Sequence, residues 1–148
     1  MAKYMSRAKR LAEALGMIDT VVQGLNSMAD DVRDGREINP GRIEDFVNII
    51  SDSTSSVEEL KEELENWYDN LPENFQNGMK GDELQEAIDA LDGIYSSLDE
   101  QKDAVEDLLT FEASDPDDKK EELAGAMEDI ANELESAQME DVTFPGMY

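Results

Sequence analysis

Carboxylates are the only plentiful chemistry-bearing side chains in this sequence. Thirty-eight Asp and Glu stand against 12 Lys and Arg, with no His and no Cys, giving a formal net charge of −26 over 148 residues. Closely spaced carboxylates can hold hard cations, act as acid–base pairs, or present an anionic surface. For a cation, the best loop runs from Asp30 to Gly41. It places Asp30, Asp34 and Gly35 as an EF-hand does, but has Val32 at the third position and Gly41 where the bidentate Glu belongs. Asp115, Asp117 and Asp118 lack a loop glycine altogether. Carboxylate catalysis needs a concave pocket around two acids, whereas these acids fall on convex helix faces. Without His as general base or zinc ligand, and without a thiolate, the sequence reads as non-enzymatic, with no catalytic, metal or cofactor-binding residue.

An anionic surface is the remaining use. Residues 1–42 carry seven basic and six acidic side chains, while residues 43–148 carry five and 32. A soluble surface needs a net charge of only about 2–8 in magnitude, so the second part far exceeds that need and incurs self-repulsion. The densest row is Glu86, Asp89, Asp92, Asp99, Glu100, Asp103, Glu106 and Asp107, all off the apolar positions of one helical segment. From Val57 to Glu112 there are 18 acidic and three basic residues. Over about 45 Å of helix that is near one net charge per 3 Å, within a factor of two of the roughly 1.7 Å spacing of charges along B-DNA. Such a face fits a basic protein partner, including a protein built to bind DNA. Direct nucleic-acid binding is excluded, since that relies on Lys and Arg neutralising phosphates.

The elements that must position this face are legible from periodicity. Tyr4, Ala8, Leu11, Leu15, Ile18, Val22, Leu25, Ala29 and Val32 alternate gaps of four and three, an unbroken heptad seam broadened by Val21 and Met28. Gly35 ends that helix. Asn39 as N-cap and Pro40 at the first position open a second, with Ile43, Phe46, Ile50, Ser53, Val57, Leu60, Leu64, Trp67 and Leu71 as its seam. Residues 51–56 are poor helix formers, and Ser56-Val57-Glu58-Glu59 fits a capping box, so a kink or short break is expected there. A linker from Leu71 to Gly81 leads to Leu84, Ile88, Leu91, Tyr95, Leu98, Lys102, Val105 and Leu109, broadened by Ile94 and Leu108. Lys102 at a seam position can fix register at some cost in stability. Leu123, Met127, Ile130, Leu134 and Ala137 form a shorter fourth row after Ser114-Asp115-Pro116. The pattern predicts one all-α domain over 1–139, with helices near 3–34, 40–70, 82–112 and 116–138 and an extended tail over 140–148. Its architecture is an elongated antiparallel bundle, or a coiled-coil hairpin with additional helices.

Smaller features complete the reading. Lys3, Arg7 and Arg10 share a helical face at the end where positive charge opposes the helix dipole, so pairing with acidic helices of this chain or a neighbour is expected. The eight Met residues, including Met17, Met28 and Met127, read as core gap-fillers. Phe75 in the linker and Phe144 in the tail either staple helix ends or anchor a partner, stapling being favoured. Crowded carboxylates are expected to have raised pKa values. Glu13 and Asp19 interrupt the apolar residues behind the basic start, which removes a signal-peptide reading. Nor does any run approach the roughly 18 apolar residues of a membrane span. A cytoplasmic protein is expected.

The stretch Trp67-Tyr68-Asp69-Asn70-Leu71-Pro72-Glu73-Asn74-Phe75-Gln76, with Ala87-Ile88-Asp89-Ala90-Leu91 and the ending Val142-Thr143-Phe144-Pro145-Gly146-Met147-Tyr148, resembles small acidic helical proteins of bacteriophages and prophages. The resemblance covers about a third of the chain and transfers no role to any residue. It implies a phage or mobile-element origin and the cytoplasm of a bacterial host, where small acidic proteins often inhibit host DNA-binding defences. The expected function is thus a phage-type interaction protein presenting Glu86, Asp89, Asp92, Asp99, Glu100, Asp103, Glu106 and Asp107 to a basic partner, with DNA mimicry as its sharpest form. The alternative is a coiled-coil scaffold or assembly protein whose seams close between subunits as a homo-oligomer.

Overall fold

Ser6, in an extended conformation, accepts a hydrogen bond at its hydroxyl from the Lys9 amide (3.1 Å), and α1 (Arg7–Arg33) starts there. That satisfies one of the orphan donors that every helix start leaves. This computed structural model describes residues 6–113, 116–140 and 142–144. The helix therefore begins later than residue 3, and Lys3 and Tyr4 lie outside the described residues. Its end is the one read from Gly35. The Arg36 amide returns to the Asp31 carbonyl and the Gly35 amide to Val32, closing a Schellman motif that requires the left-handed φ of +88° at Gly35.

Asn39 caps α2 (Pro40–Asn70) by accepting from the Gly41 amide at 2.9 Å, with Pro40 at the first helical position. The expected break at residues 51–56 is absent; α2 runs through them without interruption. Two side-chain bonds explain why Ser and Thr are tolerated there. Fully buried Ser53 donates to the Ala14 carbonyl of α1 at 2.8 Å, and Thr54 donates back to the Ile50 carbonyl at 2.6 Å. The polar groups that favour turns when exposed are satisfied within the bundle instead.

The linker holds a one-turn helix, α3 (Glu73–Gln76), packed on the start of α4 (Met79–Asp107). Gly81 makes this approach possible: a Cβ there would run into the Gln76 carbonyl. The α4 helix starts earlier and ends sooner than 82–112, passing into a 3-10 turn at Leu108–Thr110. A second 3-10 turn, Pro116–Asp118, precedes α5 (Lys119–Gln138).

The four long helices form a ring in which α1 packs on α2, α2 on α4, α4 on α5 and α5 back on α1. Short connections make consecutive helices antiparallel. The architecture is all-α and, between the two forms expected, a closed bundle rather than a hairpin. One continuous core includes Leu15, Ile18 and Leu25 of α1, Ile43, Ile50, Leu60 and Leu64 of α2, Leu84, Leu91, Ile94 and Leu98 of α4, and Met127 and Leu134 of α5. At 1.5 Å per residue, the 31 residues of α2 reach about 46 Å. The seams fail mostly at their ends, where Ala8 is exposed, Leu108 is buried in place of Leu109, and Trp67 and Leu71 are half-buried; within α4, Tyr95 and Lys102 are half-buried too. Among the described residues, no helix is long and apolar enough to cross a membrane.

Leu98→Asp should unfold the bundle, because a charge without a partner in this core costs about 4 kcal/mol or more. Two glycine substitutions should have opposite signs. Gly93→Ala meets open space on α4 and gains up to about 1 kcal/mol of helix propensity, whereas Gly81→Ala loses stability by displacing α3. Thermal melts followed by far-UV circular dichroism check all three; a rise in Tm for Gly81→Ala would show that α3 does not pack as described.

Candidate functional site

On α4 the side chains of Leu84, Ala87, Ile88, Leu91, Ile94, Leu98 and Val105 point into the core. At 100° per residue, the eight acids of the sequence row fill the opposite arc of roughly 160°. Seven of them are exposed and Asp99 is half-buried. Asp92 receives Lys61 of α2 at 2.9 Å, and Asp99 lies 3.6 Å from Lys102. Among the described residues, no cation comes within 4 Å of Glu86, Asp89, Glu100, Asp103, Glu106 or Asp107. Lys102, expected as a polar seam residue, is half-buried at the edge of the core.

The charge is segregated by helix. Ten acids and two bases lie on α4, nine and two on neighbouring α2, but four and four on α1, which is diagonal to α4 in the ring. Between α2 and α4, Lys61 also sits 6.0 Å from the Tyr95 ring, and the negative charge of Glu58 pushes the Tyr95 phenol above its usual range. An acidic ridge thus runs along the α2–α4 side, with Lys61 as its internal tie.

The arginines of α1 pair with acids of neighbouring helices, as expected from pairing within the chain, while Lys9 is exposed. Glu63 of α2 receives Arg10 through two bonds of 2.8 and 2.5 Å and Arg7 at 3.3 Å. Arg7 also stacks 5.4 Å from Trp67, which Lys80 of α4 approaches at 5.8 Å. At the other end of α1, Arg33 forks to Glu121 and Glu128 of α5 at 2.8 and 2.7 Å. Sequence reasoning missed this clamp, because its partners lie 88 and 95 residues away. The arginine contacts hold the carboxyls of Glu63, Glu121 and Glu128 below the ordinary range and raise Arg33. The expectation of crowded carboxylates with raised pKa values fails at these three positions, where a bidentate guanidinium outweighs the surrounding negative charge.

The other expected features separate in the same way. In the EF-hand-like stretch, Asp30 is in the last turn of α1, Asp34 is its C-cap, and Asp31 pairs with Arg36 at 2.6 Å. Among the described residues, no three acidic side chains converge to hold a metal ion; Asp115 lies outside them. Phe144 packs with Val142 against the core as a staple, beside Leu11 and Leu15 of α1. Phe75 does not staple: it is 53% exposed. Met28 and Met127 fill the core, but Met17, Met79 and Met139 are exposed. Residues 145–148 lie outside the described residues.

A second feature missed from sequence is an apolar groove at the far end of the ridge. Ile43 and Val47 of α2 face Leu109 across it, with Glu44, Asn48, Glu106 and Thr110 at its margins. The signal was the pair Leu108-Leu109 at a helix end, of which Leu108 is buried and Leu109 exposed. Compared with protein-family models, curated proteins and solved structures, the chain matches none.

Since the Glu121 and Glu128 carboxyls are depressed by Arg33, their contribution is present above the ordinary carboxylate pKa of about 4.3. It is lost as pH falls through the lower folded values. Arg33→Leu should therefore melt below the parent at pH 7, and the gap should narrow as pH falls below the ordinary carboxylate range and the two lowered carboxyls take up protons. A gap in Tm that stays constant from pH 7 to 3 would mean that Arg33 acts through its aliphatic stem rather than its charge.

Proposed function

We propose that this chain is a non-enzymatic interaction protein of phage type that presents the acidic face of α4, flanked by α2, to a basic protein partner. In its sharpest form the face stands in for DNA phosphates in the groove of a host DNA-binding or defence protein. The observation that carries this reading is the set of six exposed α4 carboxylates without a nearby cation among the described residues, on the helix diagonal to the one whose arginines are engaged. A surface needing only solubility would intersperse both signs. A coherent anionic ridge instead raises association rates with cationic grooves and gives a binding free energy that salt weakens.

The helical frame supports the same use. A partner lined with Lys and Arg would meet charges fixed on a packed helix, so little side-chain and backbone freedom is lost on binding. The scaffold alternative gains less support. Its seams were to close between subunits, and the apolar positions of α1 from Leu11 to Val32 are buried within a single chain. The reading involves neither a membrane, a cofactor nor direct nucleic-acid contact. The cytoplasm of a bacterial host is the compartment that goes with it.

The test uses the immobilised protein in bacterial lysate at low and high salt, followed by DNA-displacement titrations of any captured DNA-binding protein. Capture should fall as salt rises. The combined amides Glu86→Gln, Asp89→Asn, Asp103→Asn and Asp107→Asn should weaken affinity about tenfold or more. The control set Glu13→Gln, Asp30→Asn, Asp129→Asn and Glu135→Gln, which removes four charges elsewhere, should change it much less. Equal losses from both sets would reduce the effect to net charge, and salt-insensitive capture would remove the phosphate-mimic reading.

A further inference from the structure

We infer that the groove between the start of α2 and the end of α4 is the anchoring site of the partner, and that it takes the apolar face of a basic amphipathic helix. This rests on the reading of the α2–α4 ridge as the interaction surface and says where on it affinity and specificity reside. The groove, of about 420 Å³, is floored by Ile43 and Val47 and walled by Leu109, which is 47% exposed. Leu109 is on the surface because α4 tightens into a 3-10 turn at Leu108, so Leu108 takes the core position and Leu109 is rotated outward.

Charge complementarity selects the occupant. Glu44 and Glu106 stand at the two margins of the groove, one on each helix, and Asp103 and Asp107 continue the acidic row on α4. Of the two nearest basic residues in sequence, Lys102 is paired with Asp99 one turn back along α4. Arg42 is stacked 5.6 Å from the Phe46 ring, which packs on Gly24 of α1 and so faces away from the groove. An occupant therefore needs an apolar side chain for the groove and cations on both flanks. A helix with leucine-like residues three and four apart and Lys or Arg between them supplies both, in the helix-in-groove mode of recognition. The apolar anchor would carry much of the binding free energy, as buried anchors at interface centres do, and the surrounding carboxylates would set approach and orientation.

The experiment uses a fluorescein-labelled helical peptide of about 16 residues, spanning about 24 Å, with Leu along one face and Lys along the rest. Oligolysine of equal length is the comparison probe. Fluorescence anisotropy should show the amphipathic peptide binding at least tenfold more tightly than oligolysine. Leu109→Ser should remove most of that advantage, Leu109→Met should keep it, and Glu44→Gln with Glu106→Gln should weaken binding about threefold and flatten its salt dependence. A photoreactive Leu analogue in the peptide should crosslink to residues 43–48 and 106–110. Equal affinity for both probes, or an unchanged affinity in Leu109→Ser, would overturn the groove while leaving the charge-led reading of the ridge standing. Crosslinks confined to other faces would also overturn it. Sedimentation of the protein alone decides against a foreign helix if self-association appears and is abolished by Leu109→Ser, since the occupant would then be a second copy.

Discussion

Self-repulsion is the constraint on which this structure depends. A chain of net charge −26 folds only if apolar burial exceeds the work of bringing its carboxylates together. The bundle meets this by gathering the apolar seams of its long helices into one shared core and keeping every helix's acids outside it. It also orders the helices by charge. Neutral α1 separates α2 from α5, and its arginines are spent at both ends: Arg10 and Arg7 on Glu63 of α2, Arg33 on Glu121 and Glu128 of α5. The most acidic helix, α4, sits diagonal to α1, and Lys61 of α2 reaches across to pair with its Asp92. The gradient of charge across the bundle thus follows from which helix holds the arginines.

What the sequence reveals of this and what it hides have a common physical cause. Seams such as Leu11 to Val32 and Leu84 to Val105 are visible because burial of one helix face imposes the 3.6-residue period locally. The ends marked by Gly35 and by Asn39-Pro40 are visible because backbone conformation selects those residue types. The reading fails where a distant group decides. Residues 51–56 look like a break until the Ala14 carbonyl of α1 accepts from Ser53. Arg33 carries no sequence signal of its role, because the two carboxylates it clamps lie on α5, 88 and 95 residues away. The acidic row of α4 was legible residue by residue, since charges that avoid a seam must face away from it. Its isolation from cations was not, because that depends on which helices become neighbours. The groove at Leu109 was hidden by a change from α to 3-10 geometry over a single turn.

The arrangement around Trp67 has a consequence of a different kind. The chain contains one tryptophan, carried by α2, with a guanidinium from α1 at 5.4 Å and an ammonium from α4 at 5.8 Å from its ring. Its indole emission is sensitive to the position of both cations, so the intrinsic fluorescence of the protein is an optical gauge of the junction where three helices meet. Loosening of the first turn of α1, displacement of α4, or loss of the Glu63 contact that holds Arg7 in place would each be recorded in the same spectral band, without any label being introduced.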